Sequence, residues 1–242
     1  MVPAAPHTAK QRPVELNRLM RELTHDMNAN FMVLRDSFEQ LKQQVDENPM
    51  PQLTAGAAHV EACLLESKRL LDDLASLAKT GSVHMEPERV ELSEIVAETL
   101  FEQDELLKQR GIVVSVDNGL PAVSCNRKRV KQVITNLLRN AAIHGCDSEV
   151  PRVTIRTEPA TLGRVPVVKM MVHDNGPGIP QTAAEEVFAP GARLGRSRND
   201  GTGMGLAIVR RIAEHYGGSS FVDLDTDGGT TIVVTLPLFL FN

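Results

Sequence analysis

The stretch that decides the fold is DNGPGIP, Asp174–Pro180, together with a later stretch, GTGMGL, Gly201–Leu206. The first stretch follows an apolar run, Val165–His173, whose composition predicts a buried strand that ends at the Asp174 carboxylate. The second is a glycine-rich turn in front of an apolar helix, and such a turn leaves unpaired N–H groups that can bind an anion. An acid after a strand and a glycine loop before a helix indicate a nucleotide site.

A helix is predicted upstream of both stretches, over Arg127–His144, and it contains NLLRNAAIH. Asn136 and Asn140 fall one turn apart and therefore share one face of this helix. The neutral amide oxygen of Asn140 suits a Mg²⁺ ion, which keeps several waters and takes other ligands from phosphate. Considered alone, each asparagine is a surface amide and Asp174 is a turn aspartate. Only their combination and order favour a nucleotide site.

The composition indicates a soluble globular protein of one large domain or two modest ones, since 42% of the 242 residues are hydrophobic and 24% are charged. A formal net charge of −5 disfavours nucleic acid as a partner. Three cysteines without metal-ligand spacing predict reduced thiols. No apolar run approaches the ~20 residues that span a bilayer. We therefore expect a cytoplasmic protein without a membrane span.

The N-terminal third predicts two long amphipathic helices. Apolar residues recur at steps of three or four from Leu16 to Val45 and again from Leu53 to Ala78, and the proline-containing segment Asp46–Pro51 separates the two series. Such a hairpin buries little core by itself, so we expect a homodimeric four-helix bundle. The predicted domains are a disordered N-terminus at residues 1–13, the hairpin at 14–80, and an α/β domain at 86–242.

His25 lies on the face of the first predicted helix that points away from the apolar series, and Asp26 follows it. A lone histidine on a helix is most often a surface residue. Linked to a nucleotide site, it becomes a candidate phosphoacceptor, with Asp26 as the base that takes or orients the ring proton.

Strands and helices alternate in the α/β domain, which predicts a two-layer sandwich. The predicted helices are Ser93–Arg110, with Ser93 as its cap, Arg127–His144 and Met204–Tyr216; the predicted strands are Ile112–Val116, Arg152–Thr157, Val165–His173, Ser219–Leu224 and Thr230–Leu238.

These motifs resemble those of the sensor histidine kinases, whose ATP-binding domain has the Bergerat ATP fold. NLLRNA, DNGPGIP, FAPGAR and GTGMGL followed by LAIVRRIAEHYGG are similar to the family's nucleotide-binding boxes, and LTHDMNAN is similar to its phosphoacceptor box. The resemblance spans roughly residues 15 to 240. It implies an α+β protein with an N-terminal helical hairpin that forms a dimeric four-helix bundle, followed by a two-layer α/β sandwich of the Bergerat ATP-binding type.

The resemblance also implies roles for particular residues. His25 and Asp26 would be catalytic, Asp174 would bind the adenine amino group, and Asn140 would be the Mg²⁺ ligand. The implied ATP-binding set is Asn136, Asn140, His144, Asp174, Gly176, Gly178, Ile179, Arg193, Gly201, Thr202, Gly203, Met204, Gly205, Leu206 and Thr230. The implied cofactors are ATP and Mg²⁺. The implied partners are a second copy of the chain and the receiver domain of a response regulator, with a separate sensor protein as a further candidate.

Three positions depart from the family pattern, and they keep a second function class open. Ala29 replaces the usual Thr or Asn of the phosphoacceptor box, Ile143 stands where a phosphate-contacting Lys is common, and Gly191 stands where a second Phe is common. A degenerate kinase that serves as a nucleotide-binding dimeric scaffold is therefore one alternative. A Bergerat-fold ATP hydrolase is another, but Asn136 argues against it because the hydrolysing relatives carry a water-activating Glu at that position.

Overall fold

The computed structural model describes residues 27–43 without 29–30, 33 and 40–41, and then residues 51–79, 86–145, 149–193, 202–225 and 228–240. His25, Asp26, Ala29, Gly201 and the predicted disordered N-terminus lie outside the described residues. The chain divides into two compact units, residues 1–83 and 84–242. Every helix within the described ranges is too short or too polar to cross a membrane.

The described residues of the first unit form two antiparallel helices. The described residues from 27 to 43 are helical, and helix α1 spans Pro51–Lys79. Lys42 forms an ion pair with Glu61 at 2.7 Å, and Lys68 donates a hydrogen bond to Asn28 at 3.2 Å, so the two helices run in opposite directions. Proline is tolerated at the first position of a helix, because its missing N–H would have no partner there. Helix α1 therefore starts at Pro51, the last residue of the segment that was predicted to separate the two helices.

A small apolar cluster joins the two helices. Phe31, Leu64 and Leu71 are buried together, and Phe38 packs against them. These four residues belong to the apolar series predicted from the sequence, in which every step is three or four residues. The periodicity therefore identified the face on which the helices meet.

The described residues of the second unit form two sheets and four α-helices. Strands β1 (Glu88–Glu91) and β3 (Ala122–Cys125) form an antiparallel pair. The larger sheet has the order β2-β4-β5-β7-β6, in which β2 and β4 are parallel and the other neighbours are antiparallel. Its strands are β2 (Val113–Val116), β4 (Arg152–Leu162), β5 (Val165–Asp174), β6 (Ser220–Asp223) and β7 (Thr230–Pro237). The helices are α2 (Leu92–Glu102), α3 (Asp104–Gln109), α4 (Arg127–His144) and α5 (Gly205–His215).

The core lies between the large sheet and the helices α4 and α5. Residues of three strands are buried in it, among them Ile155 in β4 and Met170 in β5, and β7 is buried continuously from Thr230 to Leu236. On α4, the predicted buried residues Val130, Val133, Ile134, Leu137, Leu138 and Ala141 are all buried. This confirms the predicted bounds and inner face of α4, and with them the shared face of Asn136 and Asn140.

The prediction of one helix over Ser93–Arg110, capped by Ser93, is wrong. The helix begins one residue earlier, at Leu92, which is fully buried and whose N–H donates to the carbonyl of Pro121 at 3.4 Å. It ends at Glu102, and Gln103 separates it from α3. Strands β1 and β3 were missed, and β4 is longer than predicted because it forms a hairpin with β5 around Gly163, whose φ is 62°.

Candidate nucleotide-binding site

Asp174 is the last residue of β5 and is only 4% exposed. Burial disfavours the ionised carboxylate and raises its pKa. The N–H of Gly176, which donates to the carboxylate at 3.0 Å, the electrostatic interaction with His173 and the N–H of Thr230 each lower the pKa of Asp174 but do not cancel the effect of burial. The site therefore contains a buried acid whose charged form is stabilised only in part by the surrounding protein.

Backbone surrounds this carboxylate on two sides. A Cβ atom at Gly145 would lie 2.7 Å from both Cβ and Cγ of Asp174, and one at Gly176 would lie 2.5 Å from Cα of Gly145. The loop before β7 approaches the backbone of Asp174 instead, because a Cβ at Gly229 would overlap the carbonyl oxygen of Asp174. The end of α4 and the loop before β7 thus approach Asp174 closely because they are glycine there.

Gly145 is a candidate site residue that the sequence did not single out. A glycine after a helix usually marks a left-handed cap, but Gly145 has φ −91°. Its smallness is needed for the contact with Asp174 rather than for the backbone angle. Sequence spacing offers no sign of that contact, because the two residues belong to different elements.

Asn136 and Asn140 lie half-buried on α4, and Asn136 reaches the start of α5. A Cβ at Gly205 would lie 3.5 Å from Oδ1 of Asn136, which is ordinary contact distance. The asparagine-bearing face of α4 is therefore adjacent to the first turn of the helix that follows the glycine loop. The two motifs that lie far apart in the sequence adjoin in the structure at this point.

The described part of the glycine loop is held by backbone contacts. Gly203 has φ 68°, which favours glycine, and its carbonyl accepts a hydrogen bond from the N–H of Gly191 at 3.0 Å. A Cβ at Gly203 would lie 2.8 Å from the carbonyl oxygen of Ala192. The hydroxyl of Thr202 accepts from the N–H of Met204 at 3.2 Å. Helix α5 then begins at Gly205 without a side-chain cap, so its first amides can serve an anionic ligand.

The remaining predicted residues are placed as follows. Thr230 is buried at the start of β7, where it pairs with Asp174, and Gly178 has φ 79° beside the carbonyl of Gly229. Ile179 is half-buried, Met204 and Leu206 are buried, and His144 and Arg193 are exposed. The structure thus brings Asp174, Gly176, Gly178 and Thr230 together, and it brings Asn136 to Gly205. The contacts assigned to His144 and Arg193 stay predictions.

This donor set fits an adenine nucleotide with Mg²⁺. A buried carboxylate can accept a hydrogen bond from an exocyclic amine, and glycine backbone lets a ligand come close. The amide oxygen of Asn140 is a neutral hard ligand of the kind that Mg²⁺ accepts alongside phosphate oxygens and water.

Comparison with known proteins agrees with this chemistry. The family model for histidine kinase-, DNA gyrase B- and HSP90-like ATPases matches residues 125–240. The methanogenesis regulatory histidine kinase FilI of Methanothrix harundinacea is 31% identical over 92% of this chain and 25% of its own length. An adaptive-response sensory kinase SasA of Prochlorococcus marinus is 32% identical over 71% of this chain and 47% of its own length. The chain therefore spans between a quarter and about half of these relatives.

Solved structures show the same fold. The catalytic domain of the histidine kinase ThkA superposes with a TM-score of 0.53 at 27% identity, over 64% of this chain and 99% of that domain. Full-length ShkA, in complex with AMPPNP, superposes with a TM-score of 0.68 over 91% of this chain and 46% of ShkA, and its 19% identity supports the fold alone. Residues 125–240 thus form a domain of the histidine kinase-, DNA gyrase B- and HSP90-like ATPase class. Over most of its length, the chain is similar to the sensor histidine kinases.

Proposed function

We propose that this chain is an ATP-dependent protein-histidine kinase of a two-component system. It would transfer the γ-phosphoryl group of ATP to His25 and then to an aspartate on the receiver domain of a response regulator. The observation that carries the proposal is the buried Asp174 carboxylate, enclosed by glycine backbone and linked through β7 and α4 to the other predicted ATP-binding residues. The similarity to named histidine kinases supports the same activity.

In this proposal each part of the site has a separate task. Asp174 selects adenine by accepting a hydrogen bond from its amino group, and the glycine loop with the first amides of α5 binds phosphates. Asn140 would bind Mg²⁺, with Asn136 beside it, and the metal would neutralise charge on the phosphates. Arg193 is a candidate for further neutralisation of the γ-phosphate.

His25 and Asp26 would carry out the chemical step. A ring nitrogen of His25 forms the new bond to the γ-phosphorus as the bond from that phosphorus to ADP breaks, and Asp26 accepts the ring proton. The phosphorylated histidine then gives its phosphoryl group to a carboxylate oxygen of the receiver domain and is regenerated. A separate sensor protein is a candidate partner for controlling this step.

Two features favour the kinase over the alternatives. Asn136 has no basic group that could activate water, which disfavours an ATP hydrolase. Gly191 departs from the family pattern, but its φ of 80° and its hydrogen bond to Gly203 give this glycine a structural reason. Gly191 is therefore weak support for a degenerate scaffold.

Labelling of the purified protein with γ-labelled ATP tests the proposal. We expect label that is lost in acid and kept in alkali, because phosphohistidine has that stability. A protein that binds ATP and dimerises but takes no label with Mg²⁺ or Mn²⁺ would support the scaffold instead.

Gly145→Ala is expected to weaken ATP binding. The added methyl group would lie 2.6 Å from the carbonyl oxygen of Ala141 and 2.7 Å from the Asp174 side chain. Overpacking of this kind costs about 1–3 kcal/mol, and both Asp174 and the end of α4 must shift to relieve it. Titration calorimetry with ATP measures the effect. Gly56→Ala in the first unit, where a Cβ would meet nothing within 4 Å, is the matched control. Unchanged ATP affinity in Gly145→Ala would contradict the tight placement of Asp174.

The proposed kinase is a homodimer, and the exposed half of the apolar series supports this. Met27, Leu34 and Val60 belong to the same series as the buried cluster of Phe31, Leu64 and Leu71, yet they are 49%, 60% and 43% exposed in the single chain. In a four-helix bundle, both halves of such a series face the common core. A second hairpin would therefore cover what one hairpin leaves exposed.

The double variant Leu34→Glu, Val60→Glu is expected to be monomeric, because it would place charges in the core of the bundle. Light scattering gives the mass. Leu64 and Leu71 are unsuitable for this test since they contact Phe31 within one chain. Leu65→Glu is the matched control, as Leu65 is 55% exposed but lies off the apolar series. Dimeric mass in the double variant would argue against this interface.

A further inference from the structure

Arg210 lies in the second turn of α5, and its guanidinium group contacts three residues, Glu185, Phe188 and Ser220. It forms a two-bonded ion pair with Glu185, whose second bond joins Nη2 to Oε2 at 3.1 Å. Nη2 also donates to the carbonyl of Ser220 in β6 at 3.2 Å. The guanidinium carbon lies 4.2 Å from the centre of the Phe188 ring, a cation–π contact. One side chain thus ties α5 to β6 and to the segment around Glu185 and Phe188.

Phe188 begins the wall of the glycine loop, which we define as residues 188–192. Phe188 itself is 2% exposed, and three residues later Gly191 donates its N–H to Gly203. The backbone of Gly191 and Ala192 occupies the space that a side chain at Gly203 would need. The wall is therefore held at two points: Arg210 of α5 contacts Phe188, and Gly203 of the glycine loop accepts the hydrogen bond from Gly191.

We infer that Arg210 is a positioning residue for the phosphate end of the nucleotide site: it holds the wall against the glycine loop at the start of its own helix. This inference rests on the proposed ATP-binding function. Arg210 does not need to touch the nucleotide for this role. Its two terminal nitrogens are already engaged by Glu185, whose pKa it lowers through that contact.

If Arg210 mainly supported the global fold, its loss would affect the whole unit rather than the wall alone. The side chain of Arg210 is 22% exposed and that of Glu185 is 84% exposed, so water screens the ion pair from the Glu185 side and its contribution to folding stability is small. Loss of Arg210 should therefore loosen the wall locally and leave most of the unit unchanged. Two readouts separate these roles, namely exchange of the Gly191 amide and discrimination between phosphorylated and unphosphorylated ligands.

The experiment compares Arg210→Gln, Arg210→Lys and the neighbouring control Arg211→Gln in the full chain. In Arg210→Gln, we expect hydrogen exchange of the Gly191 amide to speed up by about tenfold, in the range typical of coupled neighbours. Amides in the middle of α4 should exchange at the rate of the unchanged protein. Arg210→Lys keeps the charge but loses the planar group. Its Gly191 amide should therefore exchange at a rate between those of the unchanged protein and of Arg210→Gln. Arg211→Gln should match the unchanged protein.

Ligand binding gives the second readout. We expect Arg210→Gln to bind ATP and ADP about tenfold more weakly, with adenosine affinity changed by less than about twofold, since Asp174 is untouched. The double variant Glu185→Gln, Arg210→Gln should bind ATP no more weakly than Arg210→Gln alone, because the two residues form one contact. Unchanged exchange at Gly191, or equal acceleration at Gly191 and in α4, would overturn the inference. If the unchanged chain failed to bind ATP, the proposed function would be wrong, whereas the exchange result would still decide the role of Arg210 in holding the wall.

Discussion

Protein carrying His25→Gln is expected to take no label from γ-labelled ATP, whereas the unchanged chain is labelled. The reason is chemical, since glutamine has no ring nitrogen that can bond to phosphorus. It is similar in length and forms helices well, so the hairpin should tolerate it. Asn136 offers no base for water, so ATP hydrolysis should not rise in compensation. The expected loss of label is complete rather than partial.

Three controls accompany this variant. ATP affinity by calorimetry and dimer mass by light scattering should both be unchanged, which separates loss of the acceptor from loss of the fold. His215→Gln should be labelled normally, because His215 is an exposed residue at the end of α5. Normal labelling of His25→Gln would place the acceptor elsewhere and remove the basis for the proposed mechanism.

The sequence predicted well the elements whose pattern is long and uninterrupted. Helix α4 shows a complete apolar face over 18 residues and was predicted with its observed bounds. Strand β5 is a long apolar run, and its end at Asp174 was found within one residue. The hairpin of β6 and β7 follows from two strand patterns that flank glycines. Asn136 and Asn140 lie on α4, Asp174 ends β5, and β7 pairs with β5. The elements at the centre of the candidate site were therefore predictable.

The features that were missed depend on contacts between distant residues. Strands β1 and β3 are too short to show an alternating pattern, and they exist because they pair with each other. The break at Gln103 contains neither glycine nor proline. The packing of Gly145 on Asp174 and of Arg210 on Phe188 joins elements that sequence spacing does not relate. Periodicity in the hairpin identified the apolar face. It did not show which residues of that face are buried within one chain and which stay exposed.

Asp174→Asn is expected to separate nucleotide binding from folding stability. ATP affinity should fall by about tenfold to 100-fold, the range expected when a hydrogen bond to a buried charged acceptor is lost. The carboxylate has two acceptor oxygens, and the N–H groups of Gly176 and Thr230 already stabilise its charge. Asparagine keeps one acceptor oxygen, which can accept the hydrogen bond from the N–H of Gly176. In place of the second oxygen it has an NH₂ group, which is a donor where the adenine amine needs an acceptor.

The nucleotide-free variant should be at least as stable as the unchanged protein at neutral pH. Burial raises the pKa of Asp174 in the folded state above its value in the unfolded chain, so the ionised group costs folding free energy at any pH above both values. This cost decreases as pH falls below the folded-state pKa and is gone once pH lies below the unfolded-state pKa. Asparagine carries no charge and never has the cost. The stability advantage of the variant should therefore be largest at neutral pH and should narrow as the solution is acidified.

Thermal unfolding with and without ATP tests both halves of this prediction in one experiment. Without nucleotide, the Tm of Asp174→Asn should equal or exceed that of the unchanged protein. Saturating ATP should reverse the order, because a ligand stabilises the folded state in proportion to the logarithm of its concentration over Kd, and the variant binds weakly. Asp117→Asn, a change at an exposed aspartate after β2, should leave both values unchanged. If the variant were less stable than the unchanged protein without ATP, the Asp174 charge would support the fold. If ATP raised the Tm of the variant as much as that of the unchanged protein, adenine would be recognised by another residue.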